Sequence, residues 1–314
     1  MSAARALGGS GLTTPPLVLG GNVFGWTADR AASFRVLDAF ADAGGTMVDT
    51  ADVYSAWVPG HKGGESETLI GEWLRTSGKR MQVATKVGML PGEGGEKLAP
   101  ARIAAACEAS LKRLGVETID LYFAHQDDEG VPQEDALAAF AKLIEAGKIR
   151  ALGASNFSAE RLGLALDVAK REGLPRYTVL QPEYNLVSRD RFEGALQDLC
   201  VAENIGVVPY YGLASGFLTG KYRSAADLGQ SVRGGRMTAL LEGKGAKVLA
   251  AMDAVAAETN ASLAQIALAW LAAQPGVTAP IASATRVEQV EELIGAWDVA
   301  LSDDQLSRLT AAGA

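Results

Sequence analysis

The sequence is short of the residues that build metal centres and covalent cross-links. Its 314 residues include two cysteines, Cys107 and Cys200, and two histidines, His61 and His125. Neither cysteine lies in a C-x-x-C pair, so no disulfide framework or zinc site is expected, and a reducing, cytoplasmic setting fits. Two histidines do not make a multi-histidine metal site, and no metal is expected. Long apolar runs are also lacking. The longest clean helix-like one, SLAQIALAWLAA from Ser262, has twelve residues, against about 20 needed to cross a bilayer. The first 21 residues, MSAARALGGSGLTTPPLVLGG, carry one Arg and no apolar stretch of signal-peptide length, so neither a leader nor a membrane partner is expected. Positive charge is scarce. Lys and Arg number 29 against 37 Asp and Glu, a net charge of −8, so no chain-wide footprint for nucleic acid exists, although a local basic pocket for a phosphate is still allowed. With 48% hydrophobic and 21% charged residues the composition is that of a globular protein and excludes disorder.

What is present is alternation. Short aliphatic or β-branched runs occur at Leu17–Leu19, Thr46–Val48, Met81–Ala84, Asp120–Phe123, Ile149–Leu152, Thr178–Leu180, Ile205–Val208 and Thr278–Ile281. Continuous apolar runs of this length suit strands buried on both faces. Amphipathic helical patterns separate them. One stripe is Phe34, Leu37, Phe40 and Ala41, stopped at Gly44, and another is Ile103, Cys107, Leu111 and Leu114, stopped at Gly115. Further helices read at about 65–76, 133–146, 158–172, 188–204, 246–259, 262–273, 286–295 and 303–312, with Ser158, Ser188 and Ser302 as N-caps. Irregular stretches fall at about 52–64, 86–99 and 210–244. Eight strands, each followed by a helix, predict an α/β architecture, a (β/α)₈ TIM barrel. The length would allow two domains, but closed barrels of about 250 residues or more are single units. The expectation is one domain over 1–314, with an N-terminal segment 1–16 and a C-terminal helix at about 303–312. The competing dinucleotide-binding fold requires G-x-G-x-x-G after a strand, and none occurs.

A barrel of this kind places its chemistry at the C-terminal ends of the strands. Reading the residues just past each strand gives Asp49, Thr50, Asp52 and Tyr54, then Lys86, His125, Ser155 with Asn156, Gln181, Tyr210, and finally Ser283 with Thr285. Singly each has a bland explanation; together, on one rim, they form a reactive set. A phenol has a reference pKa near 10 and donates a proton at neutral pH. A neighbouring ammonium favours phenolate, a carboxylate holds that ammonium, and an imidazole polarises a substrate oxygen. Tyr54, Lys86, Asp49 and His125 are therefore a proton donor suited to an alkoxide forming from a carbonyl. No side chain transfers hydride, so a cofactor is implied.

The strings MVDTADVYS (47–55), ATKVG (84–88), LYFAHQDD (121–128), GASNFS (153–158), QPEYN (181–185) and GFLTGKY (216–222) occur in an order that resembles the aldo-keto reductases, from about Leu7 to the C-terminal helix. The resemblance implies a (β/α)₈ barrel that binds NADP(H) without the glycine fingerprint. It implies that Asp49, Tyr54, Lys86 and His125 are the catalytic tetrad. Ser155, Asn156 and Gln181 would hold the nicotinamide carboxamide, and Tyr210 would stack on its ring. Leu213, Ser215, Gly216, Leu218 and Lys221 would cover the pyrophosphate, and Ser283, Thr285, Arg286 and Gln289 would grip the adenosine end. The chain departs from the family pattern at Ser283, where Gly is common, at Glu292, where Asn often stands, and at Tyr211-Gly212, in place of a frequent Ser-Pro.

Trp26, after the first strand, and Trp57, in the loop beyond Tyr54, are expected to wall a substrate pocket. His61 reads as a solvated loop residue. Glu65 and Glu67 read as first-turn acids favoured by the helix dipole, and Asp127 and Asp128 as loop residues near the substrate mouth. The expected function is NADPH-dependent reduction of a small-molecule aldehyde or ketone, reversible as alcohol oxidation. The alternative is a regulatory or sensor protein with little turnover, since some members of the family are potassium-channel subunits. A metal-dependent sugar isomerase would need more carboxylate or His ligands than Asp49 and His125 offer.

Overall fold

The computed structural model describes residues 3–230 and 234–314, so residues 231–233 of the expected irregular stretch 210–244 lie outside the described residues. A hairpin of β1 (Arg5–Ala6) and β2 (Thr13–Thr14) opens the chain. Eight parallel strands follow: β3 (Val18–Gly20), β4 (Met47–Asp49), β5 (Gln82–Val87), β6 (Ile119–Ala124), β7 (Ile149–Ser155), β8 (Val179–Gln181), β9 (Gly206–Val207) and β10 (Ile281–Ala282). They pair in sequence order from β3 to β9, with β10 beside β3. A parallel bridge between Val207 and Val277, and a bond from the Ile281 amide to the Pro209 carbonyl (2.9 Å), join the two edges of the sheet. The expected (β/α)₈ barrel is the observed fold. Its helices are α1 (Arg30–Asp42), α2 (Glu65–Ser77), α3 (Pro100–Leu114), α4 (Gln133–Glu145), α5 (Ala159–Glu172), α6 (Ala195–Ala202), α7 (Thr238–Leu241), α8 (Lys244–Thr259), α9 (Leu263–Ala272), α10 (Val287–Ile294) and α11 (Asp303–Ala312).

Strand periodicity sorts the core into two parts. Val18, Met47, Ala84, Leu121, Phe123, Ala151, Val179, Val208 and Ile281 fill the inside of the barrel, while Leu19, Val48, Val83, Tyr122, Leu152 and Leu180 pack outward against the helices. Neighbouring side chains on a strand face opposite ways, so the same alternation carries Asp49, Lys86, Ser155 and Gln181 inward one layer above the apolar filling. Gly153 leaves the space taken by the Phe123 ring: a Cβ there would lie 2.4 Å from it. That ring forms part of the floor beneath the site.

The N-terminal segment is not a loose lead-in. Its hairpin closes the barrel end opposite the site: Leu7 is fully buried in the interior cluster, the Gly9 amide donates to Asn204 O (3.0 Å), and Gln82 Nε2 donates to Thr13 O (2.9 Å). Ser158 and Ser302 cap their helices as expected, and Ser262 adds a reciprocal cap with Gln265. The expected helix 188–204 is shorter. The Asn185 side chain accepts from the Val187 and Ser188 amides (both 2.9 Å), which folds 185–188 as a turn, and α6 starts only after Gly194. Ser188 is therefore not an N-cap. The last strand is also displaced, from 278–281 to Ile281–Ala282. Pro280 has no amide to donate, so the pairing at Val277 and that at Ile281 are separate.

Leu7→Ala should lower unfolding stability by about 2–5 kcal/mol, the usual cost of removing a fully buried Leu side chain. Urea titration followed by circular dichroism measures it.

Candidate active site

The rim residues meet at the open end of the barrel. Lys86 Nζ donates to Asp49 Oδ2 (2.7 Å), to the Thr50 carbonyl (2.6 Å) and to the Tyr54 hydroxyl (3.0 Å), using all three ammonium donors. The Tyr54 hydroxyl donates to the same Asp49 oxygen at 3.3 Å. Gln181 Nε2 donates to the other oxygen, Asp49 Oδ1, at 2.8 Å. Both Lys86 and Asp49 are buried. The Tyr54 and His125 rings stand edge to face with centroids 6.1 Å apart.

These surroundings move proton affinities. Burial pushes the Tyr54 phenol well above its ordinary value, and the Asp49 charge adds to this. The expectation that Lys86 would lower that pKa is therefore not met, because desolvation and a carboxylate outweigh one ammonium. Burial lowers the Lys86 pKa, opposed by the charge and hydrogen bond of Asp49. Burial, then the Lys86 charge, pulls His125 well below its usual value, so its imidazole is neutral at pH 7. Its Nδ1 has no protein partner.

A cavity of about 640 Å³ opens above this group. On one side Ser155 Oγ donates to Gln181 O (2.8 Å), Asn156 Nδ2 to His125 O (2.9 Å), and the Tyr210 hydroxyl to Asn156 Oδ1 (2.9 Å). These five residues line the cavity, as do Leu213, Ser215, Gly216, Lys221, Ser283, Thr285 and Gln289. Ala214, Ser215 and Gly216 run with positive φ of 47°, 57° and 94°. A Cβ on Gly216 would stand 2.9 Å from Lys221 Nζ, so glycine leaves the space between this backbone and the one ammonium that lines the cavity among the described residues. Two residues expected here do not line it. The Leu218 side chain is buried in the core. Arg286 caps the start of α10, exposed, with Nε 3.7 Å from Glu288. Trp57 lines the mouth; Trp26 does not, but stands edge-on behind it at 5.5 Å.

Among the lining residues that sequence reading did not place in the site are Asn22, Val23, Thr27, Val53, Met89 and Tyr211. Asn22 and Met89 lie a few residues past strand ends, where the same reading could have found them. Asn22 Oδ1 accepts from Ser283 Oγ (2.6 Å), which gives the unusual Ser283 a partner. Asp52 and Glu67 have other places. Glu67 is buried and accepts from Thr85 Oγ1 and Arg113 Nε, both at 2.6 Å, so it is far more than a first-turn acid. Asp52 is buried against Arg102, whose guanidinium also donates to the Leu90 and Glu93 carbonyls. Burial, with the charge of Glu67, raises the Asp52 pKa to about 7. Asp127 pairs with Arg161 (2.5 Å), and Asp128 accepts from the Leu98 and Gly130 amides; neither lines the cavity.

The chain belongs to the aldo/keto reductase family, whose model matches residues 16–314. It is 33% identical over 287 residues to the aldo-keto reductase yakc [NADP(+)] of Schizosaccharomyces pombe, covering 88% of this chain and 81% of that one. It is 34% identical to a probable voltage-gated potassium channel subunit beta of Oryza sativa, covering 94% and 91%. It is 31% identical to the L-glyceraldehyde 3-phosphate reductase of Escherichia coli K12, covering 93% and 86%.

A carboxyl whose folded pKa is raised adds stability at low pH and loses it as pH climbs through the folded value. Stability of the wild type relative to Asp52→Asn should therefore fall between about pH 4 and pH 7, by on the order of 4 kcal/mol, and stay level above. Urea unfolding of both proteins across that range reads the difference.

Proposed function

We propose that this protein is an NADP(H)-dependent oxidoreductase that reduces an aldehyde or ketone to an alcohol, working as one barrel domain in a reducing, cytoplasmic compartment. The observation that carries the proposal is the Tyr54 hydroxyl at the cavity floor, 3.0 Å from a buried Lys86 ammonium that is itself held 2.7 Å from Asp49. The name of the fission-yeast relative supports the choice of cofactor. So does the fit of the cavity, with its reversed backbone at 214–216, one facing ammonium, and amides and hydroxyls on Ser155, Asn156 and Gln181.

When bound, the reduced nicotinamide supplies the hydride that the carbonyl carbon receives. The residues do the rest. Tyr54 stays protonated at neutral pH and donates its proton to the carbonyl oxygen as the alkoxide forms. Lys86 faces the resulting phenolate and stabilises it, while Asp49 keeps the ammonium charged and in place. Neutral His125 donates a hydrogen bond to the substrate oxygen without competing for the proton. Gln181 braces the far side of Asp49, so the group that seats the nicotinamide amide also holds the acid's support. Ser155 and Asn156 would hold the nicotinamide amide, Tyr210 would stack on its ring, and Lys221 with the 213–218 backbone would offset the charge of the pyrophosphate. Ser283, Thr285 and Gln289 would hold the adenosine, and Arg286 would pair with its 2′-phosphate. The rice relative's name supports the second reading, a channel-associated subunit with little turnover; loss of NADPH absorbance with a generic aldehyde separates the two.

Tyr54→Phe should lower reductase activity by at least about 100-fold while NADPH binding persists. Steady-state rates and fluorescence titration test both parts, and near-normal turnover would remove Tyr54 from the acid role. Arg286→Ala should weaken NADPH binding by roughly 10- to 150-fold and leave NADH binding nearly unchanged, because only NADPH carries the phosphate that a planar guanidinium fork matches. Fluorescence titration with each cofactor checks it.

A further inference from the structure

The cavity is divided by strand order. Residues after β7 to β10 line the side assigned above to the cofactor. Residues after β3 to β6 line the other side, next to the Tyr54 hydroxyl. Around the Tyr54 hydroxyl that second side is mainly apolar: Val23, Val53, Trp57 and Met89 line it with Tyr54 and His125, and its uncharged polar residues are Asn22 and Thr27. Across the mouth stands Tyr211, edge to face with Tyr210 at 5.0 Å. Five large hydrophobic side chains are exposed among the described residues, and three of them, Trp57 at 47%, Met89 at 39% and Tyr211 at 42%, rim this one opening. Exposed apolar surface concentrated at a cavity mouth marks a surface that is covered when its ligand binds. Trp57 is also held in place, edge-on to Trp26 at 5.5 Å and to Tyr54 at 6.2 Å, so the wall is formed before any ligand arrives.

Charge is distributed just as unevenly. No Lys or Arg lines the substrate side among the described residues; Lys86 is buried beneath it with its donors used, and Lys221 belongs to the opposite side. Lys97, on the loop after β5, is drawn to Asp128 at 3.8 Å. A phosphate or carboxylate on the substrate would lose its hydration against Trp57 and Met89 with no cation in return.

Resting on the proposed reductase reading, we infer that the substrate is an uncharged carbonyl compound with a flat apolar body, an aromatic aldehyde or ketone, and that phosphorylated aldehydes are rejected. Trp57 is the specificity-determining residue, offering a ring face or edge to the substrate ring. In the reaction, the carbonyl carbon gains a hydride from NADPH, the oxygen gains the Tyr54 proton, NADP⁺ is released, and Tyr54 regains its proton from solvent.

The test compares kcat/KM for benzaldehyde, glyceraldehyde and glyceraldehyde 3-phosphate with NADPH. Benzaldehyde should exceed glyceraldehyde by at least 10-fold, and the phosphate should be poorer still than its neutral twin. Trp57→Ala should cut the ratio of benzaldehyde to glyceraldehyde by about 10-fold, and Met89→Arg should raise glyceraldehyde 3-phosphate relative to glyceraldehyde. Melting temperature and NADPH titration of each variant report folding. Preference of the wild type for glyceraldehyde 3-phosphate over benzaldehyde would overturn the inference and leave the reductase reading intact. Absence of turnover with all three would overturn the reductase reading. Saturation-transfer NMR on the NADP⁺-loaded protein then reads the pocket directly: signal from benzaldehyde and none from glyceraldehyde 3-phosphate upholds its apolar character, and the reverse overturns it.

Discussion

The site depends on one charge that has been taken out of water. Lys86 has no exposed side-chain surface, and an ammonium in that position survives only with an anion and full hydrogen bonding. Asp49, the Thr50 carbonyl and the Tyr54 oxygen supply these, and every one of them comes from a single strand end and the turn after it. The same requirement fixes the Tyr54 hydroxyl. Tyr54 is held near Lys86 because its oxygen satisfies the third donor, and it remains protonated because the surroundings that make the ammonium costly make a phenolate costlier. Asp49 in turn needs both oxygens satisfied, which brings in Gln181 from β8 across the barrel. One buried cation thereby ties three strands and a loop into a single hydrogen-bonded unit.

That unit was legible in the sequence because two periodicities agree. Strand alternation decides which residues face inward, and the end of each strand decides which of those are polar. Asp49, Lys86, His125, Ser155 and Gln181 all follow from these two rules, as does the barrel. The misses have equally physical origins. The two-residue strands of the N-terminal hairpin are too short to show a period, and they form because Leu7 fills the barrel end. The turn at 185–188 rests on one Asn185 side chain, which a pattern of apolar spacing does not register. The ordinary helix-start position of Glu67 hid its burial, since only the tertiary fold brings Arg113 from α3 to meet it. Arg286 and Leu218 follow from the resemblance alone and from neither rule; Arg286 stands exposed at the start of α10 and the Leu218 side chain is buried.

Behind Asp49, Tyr54, Lys86 and His125 lies a second layer of buried charged residues. Arg102, on α3, donates to Asp52 and to two carbonyls of the loop after β5, and Arg113, on the same helix, donates to Glu67 on α2. The loop that carries Tyr54 and the loop that carries Met89 are thus fastened to one helix outside the barrel. Buried ion pairs of this kind contribute little net stability, and their use is to fix geometry. Here they hold the Tyr54 loop and one wall of the mouth in a common frame.

The division of the cavity by strand order has a consequence for descent. Loops after the first four barrel strands and loops after the last four line different sides of the cavity, and among the described residues they are joined where Gln181 meets Asp49, Asn156 meets the His125 carbonyl and Ser283 meets Asn22. Mutations can accumulate in the early loops and reset what is recognised, while the late loops keep a record of common ancestry. Chains with nearly identical C-terminal halves can therefore diverge in substrate.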